Sequence, residues 1–235
     1  MKTASYGYSI IACTKRSEYM HNLFDNFSRQ KWHRKELIII LNKNDMNINR
    51  YRKMARGYKN VSVYRIPEKY SLGVCLNYGV RKAKYGIIAK FDDDDYYAPH
   101  YLRDCTRAFQ RSKAGIVGKR AHFMYLEGMQ TLLLRNRAAQ NRYVRAVAGA
   151  TLTFKKKLFE RFQFRNLSLG EDVQFCKDAR ANGVSIYAMN NYNFAAVRRK
   201  RSRNHTWKVT YRSLLGRKGT SIAYRGSKFK SFVSR

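Results

Sequence analysis

The most constraining feature of the sequence is a series of short apolar runs that alternate with helix-like segments over the first hundred residues. The run at residues 37–41, LIIIL, is continuous and β-branched at its centre, which is typical of a strand buried on both faces of a parallel sheet. Similar runs at residues 8–12, 61–66 and 87–91 are separated by amphipathic segments of helical period. This alternation predicts an α/β fold, with a mostly parallel, doubly wound sheet flanked by helices.

Polar side chains follow three of these strands, at the sheet edge where doubly wound proteins bind their ligands. In chain order they are Thr14 and Arg16, then Asn42 and Asp45, then the consecutive aspartates Asp92, Asp93, Asp94 and Asp95. Because the carboxyl ends of parallel strands meet at one edge, we expect these groups to lie near one another. The sequence therefore predicts a binding site at this edge.

The four consecutive aspartates are the sharpest chemical signal in the chain. Adjacent carboxylates repel one another strongly at short range, and a divalent cation is an efficient way to hold several of them together. Mg²⁺ and Mn²⁺ prefer oxygen ligands and leave positions for substrate phosphates. In an extended chain, alternate carboxylates would point to opposite sides, so two or three at most would reach one ion. A solvated acidic loop is the alternative interpretation.

A second acidic pair, Glu171 and Asp172, opens a helix that we predict over residues 171–181. Acidic groups in a first helical turn stabilise the helix by roughly a few tenths of a kcal/mol, which is a sufficient structural explanation. A carboxylate at a helix start is also well placed to act as a general base. Farther along, His205 has cationic neighbours, which favour the neutral imidazole that binds metals.

The charge of the chain is strongly basic and unevenly distributed. Lys and Arg total 49 against 15 Asp and Glu, a net charge of +34, and no acidic residue follows Asp178. An anionic partner is the natural expectation, whether nucleic acid, anionic lipid, a polyanionic glycan or nucleotide phosphates. We predict a core domain over residues 1–197 and a basic C-terminal segment over residues 198–235, which would act as a lid, as a surface anchor, or as both.

Cysteine usage and hydropathy bear on the compartment. The four cysteines are far apart without a C-x-x-C pair, which makes a zinc site improbable and fits a reducing environment. The N-terminus lacks an apolar stretch of signal-peptide type, and no run approaches the ~20 apolar residues that a transmembrane helix needs. We expect a cytoplasmic protein whose membrane contact, if any, is peripheral.

Three segments resemble family 2 glycosyltransferases of the GT-A fold. They are SIIACTKR from residue 9, ELIIILNKND from residue 36, and SLGVCLNYGVRKAKYGIIAKFDDDDYYAPHYL from residue 71. Later segments, VAGATLTFKK, LGEDVQF and RNHTW, are similar to the acceptor side of that family. The resemblance covers residues 8–207 and implies a donor half over about residues 1–100 and an acceptor half over about 101–197. A narrower likeness is to spore-maturation glycosyltransferases of Gram-positive bacteria.

The resemblance also implies roles for individual residues. Nucleotide contacts would come from Thr14, Arg16, Asn42, Asp45, Asn77, Asp92 and Asp93, metal ligation from Asp94, Asp95 and His205, and catalysis from Asp172 as the base with Glu171 beside it. Asn42 departs from the family pattern, because many relatives have there an Asp that contacts uracil. An amide both donates and accepts hydrogen bonds, so the identity of the base stays open.

The activity implied by the resemblance is metal-dependent transfer of a sugar, with inversion, from a nucleoside diphosphate donor to a hydroxyl acceptor. UDP is the expected nucleotide, Mn²⁺ or Mg²⁺ the expected ion, and a cell-envelope or spore-surface glycan the expected acceptor. An anionic acceptor is among the alternatives. A nucleic-acid-binding protein is the first alternative, since basic grooves with aromatic platforms bind single strands, but no nucleic-acid motif is present and such a partner is not expected. A nucleotidyltransferase would need a Gly-rich loop after the first strand, where CTKRSEY has no Gly. An inactive relative that only binds the donor is a further alternative.

Overall fold

The computed structural model describes residues 6–199 and 210–235 of the chain. Thirteen strands and seven α-helices are found in this part of the molecule. The strands are β1 (Tyr8–Thr14), β2 (Lys35–Leu41), β3 (Val61–Arg65), β4 (Ile87–Lys90), β5 (Tyr96–Tyr97), β6 (Ile116–Gly118), β7 (His122–Leu126), β8 (Thr131–Arg135), β9 (Arg142–Tyr143), β10 (Thr153–Lys155), β11 (Ile186–Ala188), β12 (Phe194–Arg198) and β13 (Thr220–Arg225). The helices are α1 (Met20–Ser28), α2 (Ile48–Ala55), α3 (Leu72–Lys82), α4 (Tyr101–Ser112), α5 (Glu171–Ala181), α6 (Tyr211–Leu215) and α7 (Phe229–Val233).

The larger sheet has eight strands in the order β3-β2-β1-β4-β10-β6-β11-β9. Its first four strands are all parallel, with β1 between β2 and β4. This confirms the α/β fold with a mostly parallel sheet. Only β10 and β9 run against their neighbours. The parallel arrangement brings the carboxyl ends of β1, β2 and β4 to the same edge, where the polar residues follow.

Both faces of this sheet are covered, which explains the uninterrupted apolar run in β2. Ile39 packs into a core with α1 on one face, whereas Ile38 and Ile40 pack into a second core with α3 on the other. All three side chains are at most 1% exposed. Gly79 permits the close approach of α3, because a Cβ at that position would lie 2.7 Å from a methyl group of Ile11.

A second sheet of five strands, in the order β13-β8-β7-β12-β5, was not expected from the sequence. The hairpin β7–β8 forms around the turn at Glu127–Met129. The other pairings join distant segments, since β12 runs parallel to β7 and antiparallel to β5. Local patterning carries no information about such pairs, because each strand is only two to six residues long.

The described part of the basic C-terminal segment is packed into this second sheet. Strand β13 pairs with β8 along its whole length, and the Phe229 ring stacks on Tyr125 at a centroid distance of 4.0 Å. Val233 is fully buried. The predicted division at residue 197 stays a prediction, while residues 210–235 contribute a strand to the second sheet and Phe229 and Val233 to its core. No helix among the described residues has the length and apolarity required to cross a bilayer.

We predict that Phe229→Ala lowers the free energy of unfolding by about 3 kcal/mol, because a buried aromatic ring is deleted from a packed site. Urea denaturation of the full chain measures this change. Lys228→Ala, an exposed neighbour, serves as the control and should change the free energy by less than about 0.5 kcal/mol. Equal stability of the two variants would show that the C-terminal segment does not support the second sheet.

Candidate active site

The row of four aspartates follows β4 and is largely buried. The exposed fraction is 2% for Asp93, 8% for Asp94 and 7% for Asp95. The expected alternation of side chains is wrong, because the backbone turns at Asp93 and Asp94 and is not extended there. The turn directs these two adjacent carboxylates toward a single guanidinium group, that of Arg16.

Arg16 and Thr14, from the loop after β1, bind this turn. The Arg16 guanidinium pairs with Asp93 and donates to Asp94 Oδ2 at 2.9 Å. The Thr14 hydroxyl donates to Asp93 Oδ2 at 2.5 Å and accepts the Arg16 backbone N–H at 3.1 Å. The structure thus brings together four of the predicted nucleotide and metal residues, from two neighbouring parallel strands.

We refer to the turn formed by residues 92–95 as the acidic turn. Its backbone is held by two asparagines of α1 that the sequence analysis did not identify. Asn22 Nδ2 donates to the carbonyl oxygens of Asp93 and Asp95, at 2.7 and 2.9 Å. Asn26, which is 1% exposed, donates to the Asp95 carbonyl at 2.8 Å and accepts the Tyr97 backbone N–H at 3.1 Å. A polar residue on the apolar face of α1 was the available signal, because a buried amide requires partners.

Burial raises the pKa of the carboxyl groups in this turn. The Asp93 pKa rises to about 6, because desolvation and the charge of Asp94 outweigh the attraction of Arg16. Burial also raises the Asp95 pKa well above its usual range, with Asp94 and Asp92 adding to the effect. Such crowding of negative charge is what a nearby cation relieves.

The donor set of this turn fits a magnesium or manganese ion. Asp94 and Asp95 supply carboxylate oxygens, and these ions are commonly held by one or two carboxylates plus substrate phosphates. Within residues 6–199 and 210–235, there is no group of three His, Cys, Asp or Glu side chains that could hold a metal ion. The third predicted ligand, His205, lies outside the described residues.

Glu171 and Asp172 begin α5, as the sequence predicted. Glu171 is 5% exposed, and burial raises its pKa to about 7. Asp172 is half-buried and lies against the turn at Gly149–Thr151, where a Cβ on Gly149 would come within 2.1 Å of Asp172 Oδ2. Only glycine leaves room for the carboxylate at this place.

Lys90 interacts with two acidic clusters, the aspartates after β4 and the acidic pair at the start of α5. The sequence analysis did not identify this residue. It is the last residue of β4, is 5% exposed, and donates from Nζ to Asp92 Oδ1 at 2.5 Å. Burial alone would lower the Lys90 pKa, but the charges of Asp92, Glu171 and Asp172 raise it above its usual range. The positive charge of Lys90 in turn lowers the Glu171 pKa, against the effect of burial. One ammonium group therefore interacts with carboxylates from both halves of the chain.

Three predicted nucleotide residues lie in other surroundings. The Asn42 amide donates to the carbonyls of Pro67 and Tyr70, at 3.0 and 3.3 Å. Asp45 is exposed and pairs with Lys43 at 2.8 Å. Both ends of the Asn77 amide bind the Phe164 backbone, at 2.8 and 2.9 Å, and so connect α3 to the segment before α5. Their nucleotide contacts stay predictions.

The mostly parallel sheet, with acidic clusters where β4 ends and where α5 begins, defines the GT-A fold of nucleotide-sugar-dependent transferases. Residues 7–217 match the family model described as glycosyltransferase like family 2, and the chain belongs to this family. This confirms the resemblance found in the sequence, while the likeness to spore-maturation enzymes stays a prediction. No curated protein sequence matches the chain.

Solved structures with the same fold include TarS 1-349 from S. aureus in complex with UDP-GlcNAc. The identity is 15% and the TM-score 0.67, and the match covers 83% of this chain and 59% of that one. The mannosyltransferase PcManGT from Pyrobaculum calidifontis, in complex with GDP-Man and Mn²⁺, has 18% identity and a TM-score of 0.65, covering 85% of this chain and 59% of that one. The chain thus spans about three fifths of the length of these structures.

We predict opposite pH dependences for two acidic residues of α5. The Glu171 pKa is raised from 4.5 to about 7, so the folded state binds this proton more tightly and wild-type stability falls as pH rises through that window. Glu171→Gln lacks the ionisable group and so does not lose stability in this window. The free energy of unfolding of the variant, relative to that of wild type, should therefore rise by roughly 3 kcal/mol between pH 4 and pH 8. Urea denaturation with a chelator present measures this difference.

Asp178→Asn is the matched control on the same helix. Its hydrogen bond with Arg165 lowers the Asp178 pKa, so this carboxylate stabilises the fold above its unfolded pKa, and the benefit is lost as pH falls. The variant should therefore lose stability relative to wild type as pH rises from 2 to 7. A pH-independent difference between Glu171→Gln and wild type would contradict the assigned burial of Glu171.

Proposed function

We propose that this protein is a metal-dependent inverting glycosyltransferase that transfers a sugar from a nucleoside diphosphate to a hydroxyl acceptor. The observation that carries the proposal is that two acidic clusters adjoin Lys90. Its Nζ donates to Asp92 after β4, and its backbone N–H donates at 2.9 Å to the carbonyl of Leu152, which follows the Gly149–Thr151 turn that Asp172 lies against. Membership of the glycosyltransferase family supports it. The two clusters supply the two things that the reaction needs, a donor-phosphate site and a general base.

In this proposal the donor binds where β1 and β4 end. Thr14, Arg16, Asp92 and Asp93 border the nucleotide. Asp94 and Asp95, with His205 from outside the described residues, would hold Mn²⁺ or Mg²⁺, which when bound supplies positive charge to the leaving diphosphate. Arg16 lies at the acidic turn and presents a second cation to the phosphates.

Asp172 is the proposed base, and Glu171 is the proposed positioning residue beside it. Asp172 is the more exposed of the two, and its carboxylate reaches the Gly149 turn. It would take the proton from the acceptor hydroxyl as that oxygen attacks the anomeric carbon. Because the attack comes from the side opposite the leaving diphosphate, the configuration at this carbon inverts. Glu171, buried against the charge of Lys90, orients the start of α5.

UDP is the proposed nucleotide, and a cell-envelope or spore-surface glycan is the proposed class of acceptor. TarS and PcManGT were solved with UDP-GlcNAc and GDP-Man respectively, so relatives of this fold hold different bases. Asn42, placed after β2, would face either base with an amide oxygen. We also propose a cytoplasmic site of action with peripheral membrane contact, consistent with four free cysteines and the basic surface.

The donor site predicts metal-dependent nucleotide binding. Calorimetric titration of UDP should give a micromolar dissociation constant with Mn²⁺ and a much weaker one with chelator. Asp94→Ala should reduce the affinity with Mn²⁺ at least tenfold, because an ion ligand is removed, whereas the exposed control Glu160→Gln should bind as wild type does. Failure of every nucleoside diphosphate to bind, with or without metal, would contradict the proposal.

The base predicts a separation of binding from turnover. Asp172→Asn should keep the affinity for UDP and lose transfer by about 10²-fold or more, because the amide does not accept the acceptor proton. Gly149→Ala should give the same pattern, since its methyl group displaces the Asp172 carboxylate. Release of UDP from UDP-sugars with hydroxyl acceptors measures transfer. Full activity of Asp172→Asn would exclude the residue as the base.

A further inference from the structure

An open groove of about 670 Å³ lies away from the acidic turn, beside the second sheet. Its walls are formed by Arg120, by the loop after β8 with Asn136, Arg137 and Gln140, and by Gly219 in front of β13. The loop is fixed to its surroundings, since Asn136 Nδ2 donates to the Arg120 carbonyl at 3.2 Å and Ala121 N–H donates to the Ala139 carbonyl at 3.1 Å. The groove is therefore bounded by secondary structure and by hydrogen-bonded turns.

Two arginines, Arg120 and Arg137, line this groove, and two more, Arg135 and Arg217, lie next to it. Arg135, at the end of β8, pairs across the sheet with His122 of β7 and Thr220 of β13. Because of these pairings, two further arginines lie near Arg135. They are Arg120, two residues before His122, and Arg217, three residues before Thr220. We refer to the site formed by Arg120, Arg135, Arg137 and Arg217 as the arginine groove.

The positive charges of the arginine groove are close enough to interact. Burial lowers the pKa of Arg135, and the charges of Arg217, Arg120 and Arg198 lower it further. The His122 pKa falls to about 4, chiefly through burial and then through Arg135. Residues 128–159, which include the loop, contain no Asp or Glu, and neither do residues 179–235. A multivalent anion in the groove would relieve this repulsion.

Phosphate groups suit such a site. The planar guanidinium presents paired N–H donors that match two oxygens of one phosphate, and several arginines bind successive phosphates. The amides of Asn136 and Gln140 line the same groove and offer further polar contacts. The site is open, so an extended chain can lie along it.

Arg198 connects the arginine groove to the acidic turn. It lies at the end of β12 and is 9% exposed. Its charge acts on Arg135 on one side, and on the other side Asp95 and Asp94 attract it. In the neighbouring residue of β12, the Val197 backbone N–H donates to Asp95 Oδ1 at 2.9 Å. Strands β7 and β12 lie between β8, which leads into the groove, and β5, which follows the acidic turn.

We propose that the arginine groove binds the phosphate groups of an anionic, phosphate-bearing acceptor. The assignment to the acceptor rests on the proposed function, because the donor nucleotide already has a site at the acidic turn. Phosphate binding by the groove does not rest on it. The charge of the groove selects the acceptor and brings it toward the donor site.

The test compares two double variants that each remove two exposed arginine charges. Arg120→Gln with Arg137→Gln alters the arginine groove, whereas Arg52→Gln with Arg56→Gln alters α2 and its C-terminus, beside β3 at the far edge of the larger sheet. The probe is inorganic polyphosphate of about ten units, titrated by calorimetry with chelator present so that metal-dependent binding at the donor site does not contribute. Thermal unfolding of each variant checks that it is folded.

The groove variant should lose at least tenfold in affinity for polyphosphate, and the α2 variant less than twofold. Equal losses in the two variants would overturn the proposal, because binding would then follow total charge. Two further results would also overturn it. Tighter binding of a thymidine oligonucleotide with the same number of phosphates, through the same arginines, would favour nucleic acid as the partner. Tighter binding of anionic phosphatidylglycerol vesicles through these arginines would favour a membrane.

UDP binding with Mn²⁺, measured on the groove variant, separates this proposal from the proposed function. Wild-type UDP affinity together with lost polyphosphate affinity supports two distinct sites. Retained polyphosphate affinity with wild-type UDP affinity rejects the arginine groove and leaves the donor site standing. Absence of UDP binding in the wild-type protein rejects the proposed function, and the comparison of the two double variants still decides whether the groove binds phosphate.

Discussion

The structure depends on burying a row of carboxylates where β4 ends. Desolvating a charged carboxylate costs several kcal/mol unless it is paired and hydrogen-bonded. The chain meets this cost with Arg16 from the loop after β1 and Lys90 from β4 itself, which pair with the carboxylates. The amides of Asn22 and Asn26 from α1 bind the backbone carbonyls of the same turn. The positions of β1, α1 and β4 relative to one another are thereby fixed by the needs of one turn.

The same arrangement keeps the site responsive to ligands. Arg16 holds Asp94, which is also a proposed metal ligand, so a bound cation would compete with the guanidinium for that carboxylate. The proposed donor diphosphate would then offer Arg16 a new anionic partner. Replacing the Arg16–Asp94 pair by these two new pairs would keep the charge of the buried turn nearly balanced. On the opposite side, the charge of Lys90 interacts with Asp92 from one acidic cluster and with Glu171 from the other.

Sequence reasoning was successful where the signal is local or periodic. The run in β2 indicated a strand with two covered faces, and the alternation of strands and helices indicated the parallel half of the larger sheet. It was less successful where function depends on distant pairing. Lys90 reads as one more strand residue, and Gly149 as one of 14 glycines, until α5 is placed beside them. The second sheet stayed hidden because β5 is a strand only through its pairing with β12, almost a hundred residues away.

The distribution of charge, more than its total, explains how so basic a protein could discriminate among anions. At physiological ionic strength exposed charges are screened over about 8 Å, so a net charge of +34 spread over the surface attracts every polyanion weakly and without selectivity. Discrimination requires cations fixed in mutual proximity. Arg135 is fixed by pairing with β7 and β13, and its neighbours Arg120 and Arg217 follow from the same register. The second sheet therefore fixes the backbone positions from which these arginine side chains extend.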